Sequence, residues 1–183
     1  MQINGGKNDG FVAWGDSGAL VMGYYGETER HLGLWQIARE YTLCDNFFMG
    51  AFGGSYLNHQ FLISGRTPEF FNAAETPAKK KIAVLEDGPQ GSRLAVAPDS
   101  PKSALDGKPK FVHSGAITPD GYAVNTMAPP YQPSWVRPAP GDDAHIADPN
   151  DPSVLPPQSY DTIGDLLSRA NVSWAWYLSL IHI

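Results

Sequence analysis

The chain has 183 residues, the length of one ordinary domain, of which 42% are hydrophobic, 11% aromatic and 17% charged. This composition excludes a disordered polyelectrolyte and is typical of a chain with a packed core. The net charge of −6 argues against nucleic acid as a partner, because an acidic chain does not neutralise phosphates. The single cysteine, Cys44, excludes an internal disulfide and a multi-cysteine zinc site. The sequence contains no apolar run of about 18 residues, so it predicts no transmembrane helix.

Helical spacing and glycine turns define the predicted elements of the first 67 residues, which contain no proline. Residues 10–14 are predicted as a short strand or a helix end, residues 29–41 as a helix, and residues 43–48 as a buried strand or extended segment. After a glycine turn, a second helix is predicted from Ser55 to about Ile63. Its expected buried side chains are Leu57, Phe61 and Leu62.

All 16 prolines lie between Pro68 and Pro157, which predicts an irregular insertion over residues 68–158. Within it, residues 81–85 and 93–97 are predicted to pair as a hairpin, and residues 122–126 to form a strand. Residues 128–158 are predicted to run irregularly over the surface.

The C-terminal part is predicted as a helix capped by Asp161 or Thr162, followed by a strand over residues 172–177. The expected buried face of this helix consists of Ile163, Leu166 and Leu167. A helix that leads into a strand, near both ends of the chain, favours an α/β layer architecture.

The segment from Gly53 to His59 is the strongest candidate for a site of chemistry. Two glycines permit a tight turn and close approach of a ligand, and Ser55 is predicted at the N-cap or in the first turn of the helix. Free amides and the positive end of the helix dipole suit a phosphate there, and Asn58 and His59 lie on the same face as Ser55. Ser55 is therefore either part of a helix cap or a nucleophile that attacks phosphorus.

A nucleophilic Ser55 needs an activating group besides the helix. A helix terminus contributes at most about 2 kcal/mol, or about 1.5 pKa units, whereas a hydroxyl has a pKa near the roughly 15.7 of water. A neighbouring base or a metal is therefore required. The five histidines show no paired metal spacing, and the acidic residues of 142–151 lack the spacing of a calcium loop.

Other distinctive residues are interpreted as structural. Lys79–Lys81 and the acidic stretch 142–151 are predicted as solvated surface, with phosphate or metal binding as the alternatives. The apolar residues predicted to pack in the core or against a sheet are Cys44, Phe47, Phe48, Phe52, Trp174 and Trp176, and the alternative for the three phenylalanines is the wall of a substrate pocket.

Several motifs, in order along residues 4–177, resemble the bacterial phosphoesterase family of secreted acid phosphatases and phosphatidylcholine-type phospholipases C. They are Phe11–Trp14, Met22–Tyr25, Leu34–Trp35, Tyr41–Phe48, Phe52–His59, Asp120–Thr126, Leu155–Gln158, Thr162–Asp165 and Val172–Tyr177. The Phe52–His59 segment resembles the nucleophile motif of the acid-phosphatase branch. In the phospholipase branch a threonine usually stands at the position of Ser55 and an arginine at that of His59.

The resemblance implies an alkaline-phosphatase-like three-layer α/β fold with a central, mostly parallel sheet, here incomplete at both ends. It implies metal-dependent hydrolysis of phosphomonoesters through a phosphoserine at Ser55, with phospholipase C cleavage of phospholipid phosphodiesters as the alternative. One divalent metal ion would be bound by Ser55, a Glu-Asn pair and an Asp-Asp pair. The residues implied to contact phosphate or shape the pocket are Gly54, Asn58, His59 and Asn125.

The family's Glu-Asn and Asp-Asp metal ligands have no match in this sequence. Asp142-Asp143 precedes the Val172–Tyr177 motif, whereas the family's pair follows it. We therefore expect residues 1–177 to be an internal fragment of a phosphoesterase domain, inactive by itself, and residues 178–183 to be a non-native tail. The resemblance implies a periplasmic or secreted protein. The rival interpretation is a noncatalytic interaction domain that uses residues 128–158.

Overall fold

The structure, a computed structural model, describes residues 4–14, 26, 31–88 and 91–177. Met1–Phe48 and Val96–Lys110 form one compact unit, and Met49–Ala95 and Phe111–Ile183 form another. The helices and strands are α1 (Phe11–Trp14), α2 (Gly33–Glu40), α3 (Ser55–Ser64), β1 (Leu85–Gly88), β2 (Gly91–Leu94) and α4 (Ile163–Arg169). Short 3-10 turns lie at Asn4–Gly6, Ala73–Glu75, Pro77–Lys81 and Ala104–Asp106. The mixed helical and strand content agrees with the predicted α/β class. The Met22–Tyr25 motif and the predicted tail 178–183 lie outside the described residues.

The two helices with local stop and start signals form where the sequence predicts them. Helix α3 ends at Gly65, whose left-handed backbone (φ 64°) is the conformation that a side chain disfavours. Helix α4 begins at a capping box, in which the Thr162 side chain accepts from the Asp165 amide and the Asp165 side chain accepts from the Thr162 amide.

The first compact unit contains α2 and leaves its apolar residues exposed. The prediction of a buried extended segment over residues 43–48 is wrong. A turn lies at Asp45-Asn46, and the side chains of Phe47 and Phe48 are 84% and 79% exposed. Cys44 is also exposed rather than buried. An apolar run favours burial only where another surface covers it, and no described residue covers this one.

The second compact unit has a core of small and aliphatic residues around Ile117, which is fully buried. Ile117 pairs through single bridges with Ile82 on one side and Ala123 on the other. Backbone hydrogen bonds link Ala83 to Ile117 at 2.7 Å and Ala123 to Pro68 at 2.8 Å. The core cluster comprises Phe70, Ala73, Ala78, Ala116, Ile117, Ala123, Met127 and Leu155, with Tyr56 and Ile82 packed against it.

The predicted hairpin is confirmed, with its strands closer to the turn than expected. Strands β1 and β2 pair antiparallel from Leu85↔Leu94 to Gly88↔Gly91. The residues predicted as a strand over 122–126 form only bridges, at Tyr122 and Ala123. Among the described residues this hairpin is the only sheet, so the central parallel sheet stays a prediction.

Residues 128–158 follow an irregular path, as predicted, and are ordered by their own contacts. Ala128, Ala147 and Val154 form a small buried cluster. In the acidic stretch, the carboxylates of Asp143, Asp148 and Asp151 each accept a hydrogen bond from the backbone amide two residues later, at 2.8, 2.9 and 2.7 Å. These turns give three of the four carboxylates of residues 142–151 a local structural role.

The side chain of Gln158 connects the end of the proline-containing insertion 68–158 to its beginning. Its Oε1 accepts from the Glu69 amide at 2.8 Å, and its Nε2 donates to the Glu69 carbonyl at 2.9 Å. One side-chain amide thus satisfies both backbone groups of a residue 89 positions away.

The C-terminal part differs from the prediction after helix α4. Ile163 and Leu166 are 44% and 51% exposed, so the predicted buried face is wrong for them. Gly164 is buried instead, because the ring of Trp174 lies where its Cβ would be. No strand forms over residues 172–177, and the indole N–H of Trp174 donates to the Ser168 hydroxyl at 2.9 Å. Trp174 therefore packs on the helix, not on a sheet.

Candidate active site

The turn before helix α3 is formed by two glycines with different surroundings. Gly54 is the N-cap residue with extended backbone (φ −75°, ψ −176°), and a Cβ at this position would meet no atom within 4 Å. A Cβ on Gly53 would lie 2.9 Å from Cδ2 of Leu57. Gly53 is therefore required for the close approach of the turn to the helix, whereas Gly54 leaves open space in front of the helix.

Ser55 is the first residue of α3, and its side chain is exposed. The N-cap is Gly54, and no described residue makes a hydrogen bond to the Ser55 hydroxyl. The interpretation of Ser55 as a side-chain cap is therefore not supported by this geometry. The structure leaves the hydroxyl accessible at the end of a helix.

Backbone amides at this end of α3 are available to an anion. The first helical hydrogen bond runs from the Asn58 amide to the Gly54 carbonyl at 3.3 Å. The amides of Ser55, Tyr56 and Leu57 precede it and have no acceptor within the helix. Together with the positive end of the dipole they favour a bound phosphate.

The side chain of Asn58 lies against the turn that precedes the helix. Its Oδ1 accepts from the Ala51 amide at 3.1 Å, and its Nδ2 donates to the Ala51 carbonyl at 3.1 Å. The same Nδ2 lies within hydrogen-bond distance of the carbonyls of Gly53 at 3.3 Å and Gly54 at 3.1 Å, and of Met49 Sδ at 3.4 Å.

His59 is exposed and contacts Ser55 through the backbone. Its Nδ1 lies 2.6 Å from the Ser55 carbonyl oxygen. A carbonyl oxygen only accepts, so Nδ1 carries the proton and Nε2 is left with its lone pair in the neutral ring. Nε2 is the atom with which His59 would meet a substrate, as an acceptor when neutral and as a donor when protonated.

Tyr56, directly after Ser55, is a residue whose importance the sequence analysis missed. Its ring packs against the core cluster, and its hydroxyl is buried without a hydrogen-bond partner among the described residues. Burial raises the pKa of this phenol, and the neighbouring Tyr160 raises it further. Its signal in the sequence was an aromatic residue directly after Gly-Gly-Ser, which anchors the helix start to the core.

Asn125 is not brought to this turn by any contact that the structure shows. Its Oδ1 accepts from the neighbouring Thr126 amide at 2.8 Å, and its own amide donates to the Ala116 carbonyl at 3.3 Å. Its side chain is exposed. The role of Asn125 in binding phosphate stays a prediction.

The described residues around Ser55 do not fit a divalent metal. No group of three or more His, Cys, Asp or Glu side chains within the described ranges could hold a metal ion. In the first turns of α3, the Asn58 amide is already hydrogen-bonded to the preceding turn, and the His59 imidazole is bonded to the Ser55 carbonyl. Metal ligands of the kind implied by the resemblance would have to come from elsewhere.

The aromatic residue before the turn is not in the core. Phe52 is 82% exposed, against the prediction that it packs inside with Phe47 and Phe48.

Within the described residues, no helix has the length and apolar character that crossing a bilayer requires.

The model of the Phosphoesterase family matches residues 1–182. The chain belongs to the Phosphoesterase family. The comparisons with curated proteins and with solved structures gave no match. Membership confirms the predicted resemblance to a phosphoesterase family, and it indicates that this protein hydrolyses phosphoesters.

Proposed function

We propose that this phosphoesterase hydrolyses phosphomonoesters, as acid phosphatases do, with Ser55 as the nucleophile. The observation that carries the proposal is the exposed Ser55 hydroxyl at the start of α3, beside backbone amides without helical acceptors. A phosphate bound there would place its phosphorus next to the hydroxyl.

The reaction proceeds in two displacements at phosphorus. A bond forms between Ser55 Oγ and phosphorus as the hydroxyl gives up its proton, while the ester P–O bond breaks and the departing alcohol takes up a proton. Water then attacks the phosphoserine, releasing inorganic phosphate and restoring the hydroxyl. The amides of Tyr56 and Leu57 stabilise negative charge on the phosphoryl oxygens, and His59 Nε2 interacts with the phosphate or the leaving group.

The activating group for the Ser55 hydroxyl is the part of the proposal that rests on the resemblance alone. A divalent metal ion would lower the pKa of the hydroxyl, and the helix terminus contributes at most about 2 kcal/mol of the stabilisation required. Since the described residues supply no ligand cluster for it, we expect the 183-residue chain by itself to lack activity. Export to the periplasm or secretion belongs to the same expectation.

Hydrolysis of a chromogenic phosphomonoester with added divalent metal tests the proposal. We expect turnover from a phosphoesterase that carries this segment together with the metal ligands, and none from its Ser55→Ala variant. Ser64→Ala, at the other end of the same helix, is the matched control and should retain activity. Near-parental rates in Ser55→Ala would show that Ser55 is not the nucleophile. Absence of turnover from the phosphoesterase that carries this segment together with the metal ligands would instead favour an interaction domain.

Phospholipid diesters are the second candidate substrate class, and one observation favours them. Phe52, three residues before Ser55, is 82% exposed and would suit an apolar substrate or a lipid surface. Phosphatidylcholine in mixed micelles, assayed beside the phosphomonoester, separates the two. Diacylglycerol release that falls in Phe52→Ser, with unchanged phosphomonoester hydrolysis, would support the phospholipase C alternative.

A further inference from the structure

The Asn58 side chain is committed to the turn before the helix. A carboxamide has two N–H donors and one carbonyl acceptor. Its donors face the carbonyls of Ala51, Gly53 and Gly54 at 3.1, 3.3 and 3.1 Å, and its oxygen holds the Ala51 amide at 3.1 Å. No N–H of this side chain is left over for a phosphate oxygen.

Two further contacts hold the same turn from the other side. Leu57, 7% exposed, lies so close to Gly53 that a Cβ there would come within 2.9 Å of it. Tyr56 packs against the core cluster. The residues on either side of the exposed Ser55 are therefore fixed, while Ser55 itself is free to meet a substrate.

We infer that Asn58 is a positioning residue, which fixes the turn 51–54 against the first turn of α3 and so orients the amides and hydroxyl of Ser55. This differs from the contact with phosphate that the sequence predicts for Asn58. The orienting role rests on the proposed function, whereas the fixing of the turn does not.

Amide hydrogen exchange in the 183-residue chain tests the fixing of the turn. Asn58→Ala removes the acceptor of the Ala51 amide, so this amide should exchange about tenfold faster. Asn58→Asp keeps an acceptor oxygen and loses the donors, so exchange at Ala51 should be intermediate. The Ala123 amide, which donates to Pro68 in the core, should keep its protection in both variants.

Gln60→Ala is the matched control, because Gln60 is an amide residue on the same helix whose side chain makes no hydrogen bond to a described residue. It should leave Ala51 exchange unchanged. Parental exchange at Ala51 in Asn58→Ala would overturn the inference. If Asn58→Ala loses protection at Ala123 as well, the variant has unfolded. The exchange rate of the Ala51 amide in Asn58→Asp, compared with that in Gln60→Ala, then decides whether Asn58 fixes the turn.

Steady-state kinetics of a catalytically active phosphoesterase that carries this segment then distinguish a positioning role of Asn58 from direct contact with the substrate. A positioning residue predicts that Asn58→Ala lowers kcat while KM for the phosphomonoester stays within about twofold. A rise in KM with unchanged kcat and unchanged Ala51 exchange would assign Asn58 to the substrate instead. Absence of hydrolysis in every version would contradict the proposed function and leave the exchange result intact.

Discussion

Of the two adjacent glycines before helix α3, only Gly53 should lose stability when it is replaced by alanine. At Gly53 the new Cβ would lie 2.9 Å from Leu57 Cδ2, which is several tenths of an ångström inside ordinary contact. Leu57 is only 7% exposed and has little room to move away. Overpacking of this kind costs about 1–3 kcal/mol, against a gain of about 0.4–1 kcal/mol from the stiffer unfolded chain.

Gly54→Ala is the matched comparison, because its Cβ would meet nothing within 4 Å and its φ of −75° suits any residue. The small loss of N-cap preference and the stiffening of the unfolded chain nearly cancel, leaving about 0.5 kcal/mol or less. At the middle of the two ranges the net cost of Gly53→Ala is about 1.3 kcal/mol, so for a chain of this size its melting temperature should fall by about 3–5 °C.

Thermal denaturation followed by far-ultraviolet circular dichroism, at one protein concentration, measures both variants. Equal melting temperatures for Gly53→Ala and Gly54→Ala would refute the packing argument. Under the proposed function, Gly54→Ala should also lower phosphoester turnover with the fold intact, because the methyl group occupies the space in front of the helix.

Two other changes test the surroundings of the site and of helix α4. Tyr56→Phe removes a buried hydroxyl without a partner, so denaturant titration should find stability unchanged or raised by about 1 kcal/mol; a loss of more than that would reveal a hidden partner. Hydrogen bonds from the Thr162 side chain and amide hold the pKa of Asp165 below its ordinary value of 3.8. A depressed pKa in the folded state stabilises above pH 3.8, and this stabilisation is lost as the pH falls through the folded value. In Asp165→Asn, the free energy of unfolding measured by urea titration should therefore depend less on pH at the acid end. An unchanged pH dependence would contradict the capping box.

The parts of the fold that the sequence predicts are those controlled by neighbours in the chain. Helix α3 follows from the glycine turn before Ser55 and from Gly65 after it, and α4 follows from Thr162 and Asp165 three residues apart. The β1–β2 hairpin likewise depends on a local turn. In each case the residues that start or stop the element lie within a few positions of it.

The wrong predictions concern segments whose structure depends on a distant partner. The apolar residues of 43–48 and 172–177 satisfy the pattern of a buried strand, but a strand also needs a neighbour for its amides. The Asn58 contacts escaped prediction for a similar reason, because they depend on where the turn places the carbonyls of Ala51, Gly53 and Gly54. Spacing alone placed Asn58 on the face of Ser55 without showing what it touches.

The link between Gln158 and Glu69 has a consequence for the length of the chain between them. The Gln158 amide holds together two positions that are 89 residues apart in the chain. Each doubling of the length of a flexible loop adds only about 0.6 kcal/mol to the entropic free-energy cost of closing it. Exposed bends such as the one at Gly141 should therefore accept inserted residues, even a small tag, without disturbing helix α3, whereas loss of the Gln158 amide should loosen both ends at once.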